Sequence, residues 1–207
     1  MASTKPEDDE HDRVRLLFVC TANRIRSPFA AALATRLAAE HALPLEVGSA
    51  GLTSDDEPAA ESMIRAAKPF DVDLSTHRSR VVTAEWIEWA DLVVTMTGRH
   101  VLAIVTLDTA ARPKTLTLCE WAAAVRVDAP APEWAAATAT APVSAGPAWT
   151  PRAVERWAGR VTDRPVDALV SRSGDIADPV GRSQRQFRHT AREIDRLLRT
   201  CLAIGPG

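Results

Sequence analysis

The 207-residue sequence is poor in cysteine, has no tyrosine and contains no long apolar run. Its three cysteines, Cys20, Cys119 and Cys201, are odd in number, widely spaced and never arranged as Cys-x-x-Cys, which argues against a disulfide framework and a zinc site. The absence of tyrosine excludes regulation through phosphorylation of its own tyrosines. No stretch approaches the ~18 apolar residues of a membrane span. These features favour a protein of the reducing cytoplasm.

The charge of the chain is nearly balanced, with 25 basic and 27 acidic residues and a formal net charge of -2. This balance predicts no basic surface for nucleic acid, and no membrane partner is expected either. Residues 1–13 are acidic and polar, the opposite of a signal peptide, and we interpret them as a disordered tail. The remaining residues, 14–207, have the length of a single domain.

Short apolar runs alternate with helical patterns along the chain. Strands are predicted at Arg15–Cys20, Leu45–Ala50, Asp91–Met96 and Lys114–Cys119. Helices are predicted from Pro28, with Ser27 as its N-cap, to about Glu40, and at Glu57–Ala67, Thr83–Trp89, Arg99–Val105 and Ser183–Leu202. The alternation indicates an α/β fold with an open parallel sheet covered on both faces. Ligands of such sheets bind beyond the carboxyl ends of the strands, where Cys20 lies.

One stretch, about 126–165, breaks this alternation because it is rich in alanine, proline and tryptophan. We interpret it as an insert in the domain, with a short helix predicted to begin at Thr150-Pro151 and to place Val154, Trp157 and Val161 on one face. Two roles stay open for its tryptophans: they pin the insert onto the main domain, or the insert covers the functional site or docks a partner. These tryptophans are Trp134, Trp149 and Trp157.

The segment from Cys20 to Ser27 reads Cys, five residues, Arg, Ser, between a predicted strand and a predicted helix. A loop wrapped before a helix N-terminus directs several backbone N–H groups inward, and such a nest binds a tetrahedral anion. The same field favours the thiolate form of cysteine, which is the reactive nucleophile. Arg26 offers a planar fork of donors to two phosphoryl oxygens. The Ser27 hydroxyl can donate to the thiolate leaving group when a phosphocysteine is hydrolysed.

The segment Val19–Pro28 resembles the phosphate loop, or P-loop, of the low-molecular-weight protein tyrosine phosphatases. Val47–Gly51, Leu74–Arg78 and Ala90–Thr97 look like the next landmarks of that family, and the resemblance covers about 14–120 and 176–198. It implies a flavodoxin-like three-layer α/β/α sandwich with a four-stranded parallel sheet in the order 2-1-3-4. It also implies hydrolysis of phosphotyrosine-type monoesters, in proteins or small aryl phosphates, without a cofactor or metal, and inhibition by phosphate, sulfate or vanadate.

The resemblance also implies roles for individual residues. Cys20 would be the nucleophile, Arg26 would bind phosphate, and the rest of the loop would surround it: Thr21, Ala22, Asn23, Arg24, Ile25 and Ser27. In the family an asparagine of the loop is hydrogen-bonded to a loop serine, to a second serine and to a distant histidine. The matching positions here are Asn23, Ser27, Ser49 and His77, and their role would be to keep the loop rigid. Asparagine also tolerates the left-handed backbone that such a loop needs.

A second catalytic element is expected at Asp178-Pro179, in a segment that matches the family's acid loop before its last helix. An aryl phosphate expels a phenolate, whose conjugate acid has a pKa of about 10. A carboxylic acid that protonates this oxygen typically accelerates the reaction by about 10²–10⁴-fold. Asp175 is the competing candidate, but no proline follows it.

Four positions depart from the family. Ala22 stands where the loop usually has glycine, and Ile25 stands where many members carry a second cysteine, so the nucleophile lacks a neighbouring thiol. Val180 follows Asp178-Pro179 where tyrosine or another large residue is common. Arg24 adds positive charge near the expected phosphate site and would favour acidic substrates. The sequence therefore does not identify the residues that line the substrate slot.

Two alternatives to a phosphatase stay open at this point. An arsenate reductase on the same scaffold would need an external thiol, because neither Cys119 nor Cys201 matches a resolving cysteine. A phosphoanion-binding module without turnover is the second alternative, although the joint presence of Cys20, Arg26 and Asp178 argues against it.

Overall fold

The computed structural model describes residues 12–127, 150–162 and 174–204. The expected tail at 1–13 therefore lies almost wholly outside the described residues. The same holds for much of the expected insert, including Trp134 and Trp149.

Four parallel strands form one sheet in the order β2-β1-β3-β4, as the resemblance implied. The strands are β1 (Val14–Cys20), β2 (Leu45–Gly51), β3 (Leu92–Thr95) and β4 (Thr115–Thr117). The central strand β1 is apolar along almost its whole length because both of its faces are covered. It pairs with β2 on one side and β3 on the other, and Cys20 is in register with Gly51.

Seven helices surround the sheet within the described residues. They are α1 (Arg26–Glu40), α2 (Glu61–Ala67), α3 (Ala84–Trp89), α4 (Gly98–Leu107), α5 (Leu118–Val127), α6 (Pro151–Thr162) and α7 (Gln184–Cys201). Successive β1 side chains enter different layers: Leu16 and Phe18 join a core with α1, α2, α5 and α7, whereas Leu17 and Val19 join a core with α3 and α4. The predicted three-layer α/β/α architecture is confirmed. None of these helices has the length and hydropathy needed to cross a membrane.

Three predicted boundaries are wrong. Helix α1 begins at Arg26, with Ile25 as its N-cap, rather than at Pro28 with Ser27 as the cap. Helix α2 begins at Glu61, because Pro58 pairs instead with Arg78 in an isolated antiparallel bridge.

The third error concerns Cys119, which lies in helix α5 and not in the fourth strand. Thr117 and Glu120 form a reciprocal pair that starts this helix. The Thr117 hydroxyl oxygen accepts from the Glu120 N–H at 3.1 Å, and the Glu120 carboxylate accepts from the Thr117 N–H at 2.8 Å. This Thr-x-x-Glu capping box ends the strand after three residues.

The predicted helix in the insert is present as α6, beginning at Pro151. Val154 and Trp157 are buried in the main core, where Trp157 is only 1% exposed. Trp157 therefore packs on the main core, whereas the interpretation of Trp134 and Trp149 falls outside the described residues.

Candidate functional site

Cys20 is the last residue of the central strand, at the carboxyl edge of the sheet. Its side chain is 2% exposed, and its sulfur lies 3.0 Å from the Ser27 hydroxyl oxygen. The chain turns through residues 21–25 and enters α1 at Arg26, so the strand, the loop and the helix N-terminus converge around the sulfur. The sequence-predicted nucleophile and its serine partner are thus brought into contact.

The backbone N–H groups of the loop have no protein acceptor among the described residues. Within the described part of the chain, no acceptor contacts the N–H groups from Ala22 to Ser27, and the N-cap Ile25 provides no side-chain cap. A helix N-terminus with uncapped amides carries a partial positive charge and binds anions. The loop therefore offers free N–H donors of the kind that bind a negatively charged group.

Asn23 holds the loop in shape from behind. It has a φ of 50°, a left-handed conformation that asparagine tolerates. Its side-chain amide donates to the hydroxyl oxygens of Ser27 and Ser49, each at 2.9 Å, and its side-chain carbonyl accepts from the Arg80 N–H at 3.1 Å. His77 completes the set, but its Nε2 donates to the backbone carbonyl of Asn23 at 2.7 Å rather than to the side chain. Burial is the first cause of the lowered pKa of His77, which favours the neutral ring.

Gly51 is required by the closeness of the loop to strand β2. A Cβ at this position would lie 2.6 Å from the Asn23 nitrogen and 2.8 Å from the Ala22 carbonyl carbon. Ala22 itself does not adopt a positive φ, so its replacement of the usual glycine introduces no backbone strain.

Arg26 is 3% exposed, and its guanidinium contacts both the loop and the segment that carries Asp178. Its Nη1 donates to the Ile176 carbonyl at 3.0 Å, and its Nη2 donates to the Asp178 carboxylate and, at 3.4 Å, to the Thr21 hydroxyl oxygen. Its Nε is buried and has no acceptor in the described residues. An arginine with an unsatisfied donor beside a cup of free amides fits a bound oxyanion.

Asp178, not Asp175, reaches the loop. One oxygen of Asp178 contacts Arg26, the other accepts from the Val180 N–H at 3.1 Å, and the side chain is 39% exposed. Asp175 instead accepts from the Gly98 N–H at 2.8 Å and ties down the start of α4. The structure therefore gives the competing aspartate a structural contact and brings the predicted acid to the phosphate loop.

His100 is a further member of the site that sequence reasoning missed. It is 5% exposed, and its Nε2 lies 3.0 Å from the Thr21 hydroxyl oxygen. The assignment that satisfies both contacts has Thr21 accepting from Arg26 and donating to a neutral imidazole. Burial and the neighbouring Arg26 lower the pKa of His100 to about 4, against the opposing charges of Asp175 and Asp178.

Arg24 turns away toward the segment before α2. Its Nε donates to the Pro58 carbonyl at 2.8 Å, and its guanidinium lies 3.8 Å from the Glu57 carboxylate. Ile25 is 8% exposed and belongs to the main core. The side chains of Arg24 and Ile25 therefore anchor the loop to the segment before α2 and to the main core.

The other two cysteines have unreactive surroundings. Burial raises the pKa of Cys119 to about 11 and raises the pKa of the fully buried Cys201 well above its usual value. They belong to α5 and α7, whereas Cys20 ends β1. Within 12–127, 150–162 and 174–204, no cluster of histidine, cysteine and carboxylate residues could hold a metal ion.

Comparison with known proteins places the site in context. Residues 15–138 match the family model described as low molecular weight phosphotyrosine protein phosphatase. A protein-arginine-phosphatase of Geobacillus stearothermophilus is 38% identical over 107 residues, which are 50% of this chain and 68% of that protein. The low molecular weight protein-tyrosine-phosphatase Wzb of Salmonella typhi is 32% identical over 111 residues, covering 52% of this chain and 70% of that protein.

Solved structures extend the likeness beyond residue 138. The YwlE arginine phosphatase from Geobacillus stearothermophilus superposes with a TM-score of 0.63 at 27% identity, over 91% of this chain and 90% of that one. The family model ends before Asp178, so the expected role of Asp178 does not rest on that match.

Proposed function

Because the chain belongs to the low molecular weight phosphotyrosine protein phosphatase family and is a cysteine-based phosphatase, we propose that it hydrolyses phosphotyrosine-type monoesters through a phosphocysteine on Cys20. The observation that carries this proposal is the cup of free N–H groups between Ala22 and Ser27, with the Cys20 sulfur at its base and Arg26 at its mouth. We place the enzyme in the cytoplasm, where free thiols stay reduced, as a single domain over 14–207 with the insert at 126–165.

Substrate binding would exchange one anion for another at Arg26. The Asp178 carboxylate contacts Nη2, while Nε is unsatisfied, so a phosphoryl group can take two donors of the guanidinium fork at once. Two anions would then compete for one side of Arg26, and the carboxylate would move toward the leaving oxygen. Its 39% exposure leaves it room to do so.

The chemistry would proceed in two displacements. In the first, the Cys20 thiolate forms a bond to phosphorus while the bond to the ester oxygen breaks, and Asp178 gives its proton to that oxygen. In the second, Asp178 takes a proton from water, the water oxygen bonds to phosphorus and the P–S bond breaks. Ser27, 3.0 Å from the sulfur, donates a hydrogen bond to the departing thiolate.

Phosphoarginine is a second candidate substrate class. The supporting observation is the name of two relatives, protein-arginine-phosphatases that are 38% and 36% identical over 107 residues each. The loop would act on a P–N bond in the same way, with Asp178 protonating the leaving nitrogen. Val180, which follows Asp178-Pro179 and is 64% exposed, is a small neighbour for a phenyl ring.

The test is turnover of phosphotyrosine and phosphoarginine peptides of matched sequence by the unaltered protein and by Cys20→Ser. We expect hydrolysis of at least one substrate by the unaltered protein and none by the variant. The variant should still bind vanadate or phosphate, because the N–H cup is intact. Normal turnover by Cys20→Ser would contradict the phosphocysteine mechanism.

The same assays separate the two alternatives. Anion binding without hydrolysis of any phosphopeptide would indicate a binding module. Thiol-dependent arsenate reduction without hydrolysis would indicate a reductase that uses an external thiol, since the pKa values of Cys119 and Cys201 are raised by burial.

A further inference from the structure

The last helix carries a row of arginines on its outer face. Arg185, Arg188, Arg192 and Arg196 recur at intervals of three or four residues, which places them on one side of α7, and Arg182 lies in the turn just before it. All five side chains belong to exposed residues. We call this set the arginine row.

The arginine row is opposite the side of α7 that packs on the core. The buried positions of the helix, such as Phe187, Ile194 and Leu198, follow the same period but are offset by about half a turn of the helix. The row spans about 16 Å from Arg185 to Arg196, at 1.5 Å per residue. Its guanidinium groups therefore face solvent in single file.

These charges are not neutralised within the described residues. Arg199 pairs with Asp195 at 3.0 Å, but no carboxylate contacts any member of the arginine row in the described part of the protein. The chain as a whole has a formal net charge of -2, so this helix face is positive against a slightly negative background. Such a concentration of one charge attracts a partner of opposite charge.

The arginine row begins beside the candidate active site. Asp178 is followed by a turn in which the Arg182 N–H donates to the Pro179 carbonyl at 2.9 Å, and α7 starts two residues later. The first arginine of the row is thus four residues from the aspartate that contacts Arg26. We propose that the arginine row docks an acidic segment of the phosphoprotein substrate, an inference that rests on the proposed phosphatase function.

An acidic polypeptide fits the arginine row better than other polyanions. A single file of charges matches one extended strand of carboxylates. A membrane surface would also be expected to meet apolar side chains, yet the exposed large apolar residues of the described chain, Val81, Leu102, Leu107 and Val180, are all outside α7. The negative net charge of the chain disfavours nucleic acid.

The experiment compares phosphopeptides that carry a block of four acidic residues on either side of the phosphorylated residue with peptides in which Asn and Gln replace that block. The variant is Arg185→Gln/Arg188→Gln/Arg192→Gln, and its control is Arg13→Gln/Arg36→Gln/Arg152→Gln, which has the same net charge. Each exposed ion pair changes an equilibrium constant by about 1.4- to 5-fold. At low salt we expect the unaltered protein and the control to favour an acidic peptide about tenfold in KM, with kcat unchanged.

The preference should fall to about twofold or less in the α7 variant, and in all proteins at 0.5 M salt, where the screening length is about 4 Å. Turnover of a small aryl phosphate should be equal in all three proteins. An equal preference in the α7 variant and its control would overturn the proposal. A preference that appears only after residues 1–11 are removed would also overturn the proposal. In that case the acidic residues 1–11 of the chain itself would occupy the arginine row.

Two further readouts complete the design. Binding to vesicles with about 30% anionic lipid that requires the arginine row, without any peptide preference, would overturn the proposal in favour of a membrane. A labelled, unphosphorylated acidic peptide tests docking without catalysis. If the protein hydrolyses nothing, the proposed function fails, yet binding of this peptide that is lost only in the α7 variant would still support the arginine row as an acidic-peptide surface.

Discussion

The phosphate loop and the segment that carries Asp178 meet at Arg26, but they are held in place by different means. The loop lies between the central strand and α1, and Asn23 ties it to β2 and to the Arg80 backbone. Asp178 is tied by its contact with Arg26 and by the Val180 N–H, and it is 39% exposed. The loop is thus held rigidly before substrate arrives, whereas the proposed acid is attached to Arg26, the group that substrate is proposed to engage. Binding and proton transfer should therefore be separable by mutation.

Of the variants considered, Asp178→Asn should give the largest change in activity. Loss of the general acid lowers kcat on a phenyl ester by about 10²–10⁴-fold. Phosphate or vanadate affinity should stay the same or increase, because the competing negative charge beside Arg26 is gone. Steady-state kinetics and isothermal titration measure the two quantities. Asp175→Asn is the matched control. A comparable loss of kcat in that variant would contradict the assignment of the acid role to Asp178.

His100 lies between the two regions, and its protonation should weaken the fold in acid. Its pKa is about 4 in the folded protein and near 6.5 when unfolded, so the unfolded chain binds the proton first as pH falls. Its contribution to stability is full above pH 6.5 and declines to pH 4, by about 3 kcal/mol. Urea unfolding of the unaltered protein and His100→Gln should show their difference in unfolding free energy shrinking over this window. A pH-independent difference would disprove this account of His100.

Gly51→Ala should have the smallest of the three effects, and Gly48→Ala, in the same strand, is its control. The new Cβ of Gly51→Ala would meet the backbone of Asn23 at 2.6 Å, so the loop must shift, at a cost of about 1–3 kcal/mol. At Gly48 the closest atom is the edge of the Trp86 ring, at 3.2 Å, which can move. We expect weaker anion binding and a lower melting temperature for the first variant only. Equal behaviour of the two variants would show that the loop is not rigidly supported.

The order of the strands and the contact of Cys20 with Ser27 could be anticipated because they depend on a short motif between a strand and a helix. The start of α1 could not be placed by capping preference, because the Ser27 hydroxyl contacts Cys20 and Asn23 and is unavailable as a cap. The helix instead begins with its amides open to the loop. A functional demand therefore overrides the usual rule for a helix start.

Two other residues show the limits of sequence patterns in different ways. The strand error at Cys119 was avoidable, since Thr117-Leu-Cys-Glu120 is a visible capping-box pattern. His100 was not predictable, because a single histidine in an apolar helix gives no sign of the distant threonine it will contact. Its role depends on α4 meeting the loop 79 positions earlier in the chain, which only the fold establishes.

The position of Cys20 at the end of a strand paired on both sides has a consequence for how the enzyme can lose activity. The amides of β1 are bonded within the interior of the sheet, so their hydrogen exchange should require unfolding of the whole domain. Cys20 then cannot become disordered through local unfolding alone. Any core substitution that lowers global stability will also lower the fraction of molecules with an intact sulfur site, even when it lies far from that site.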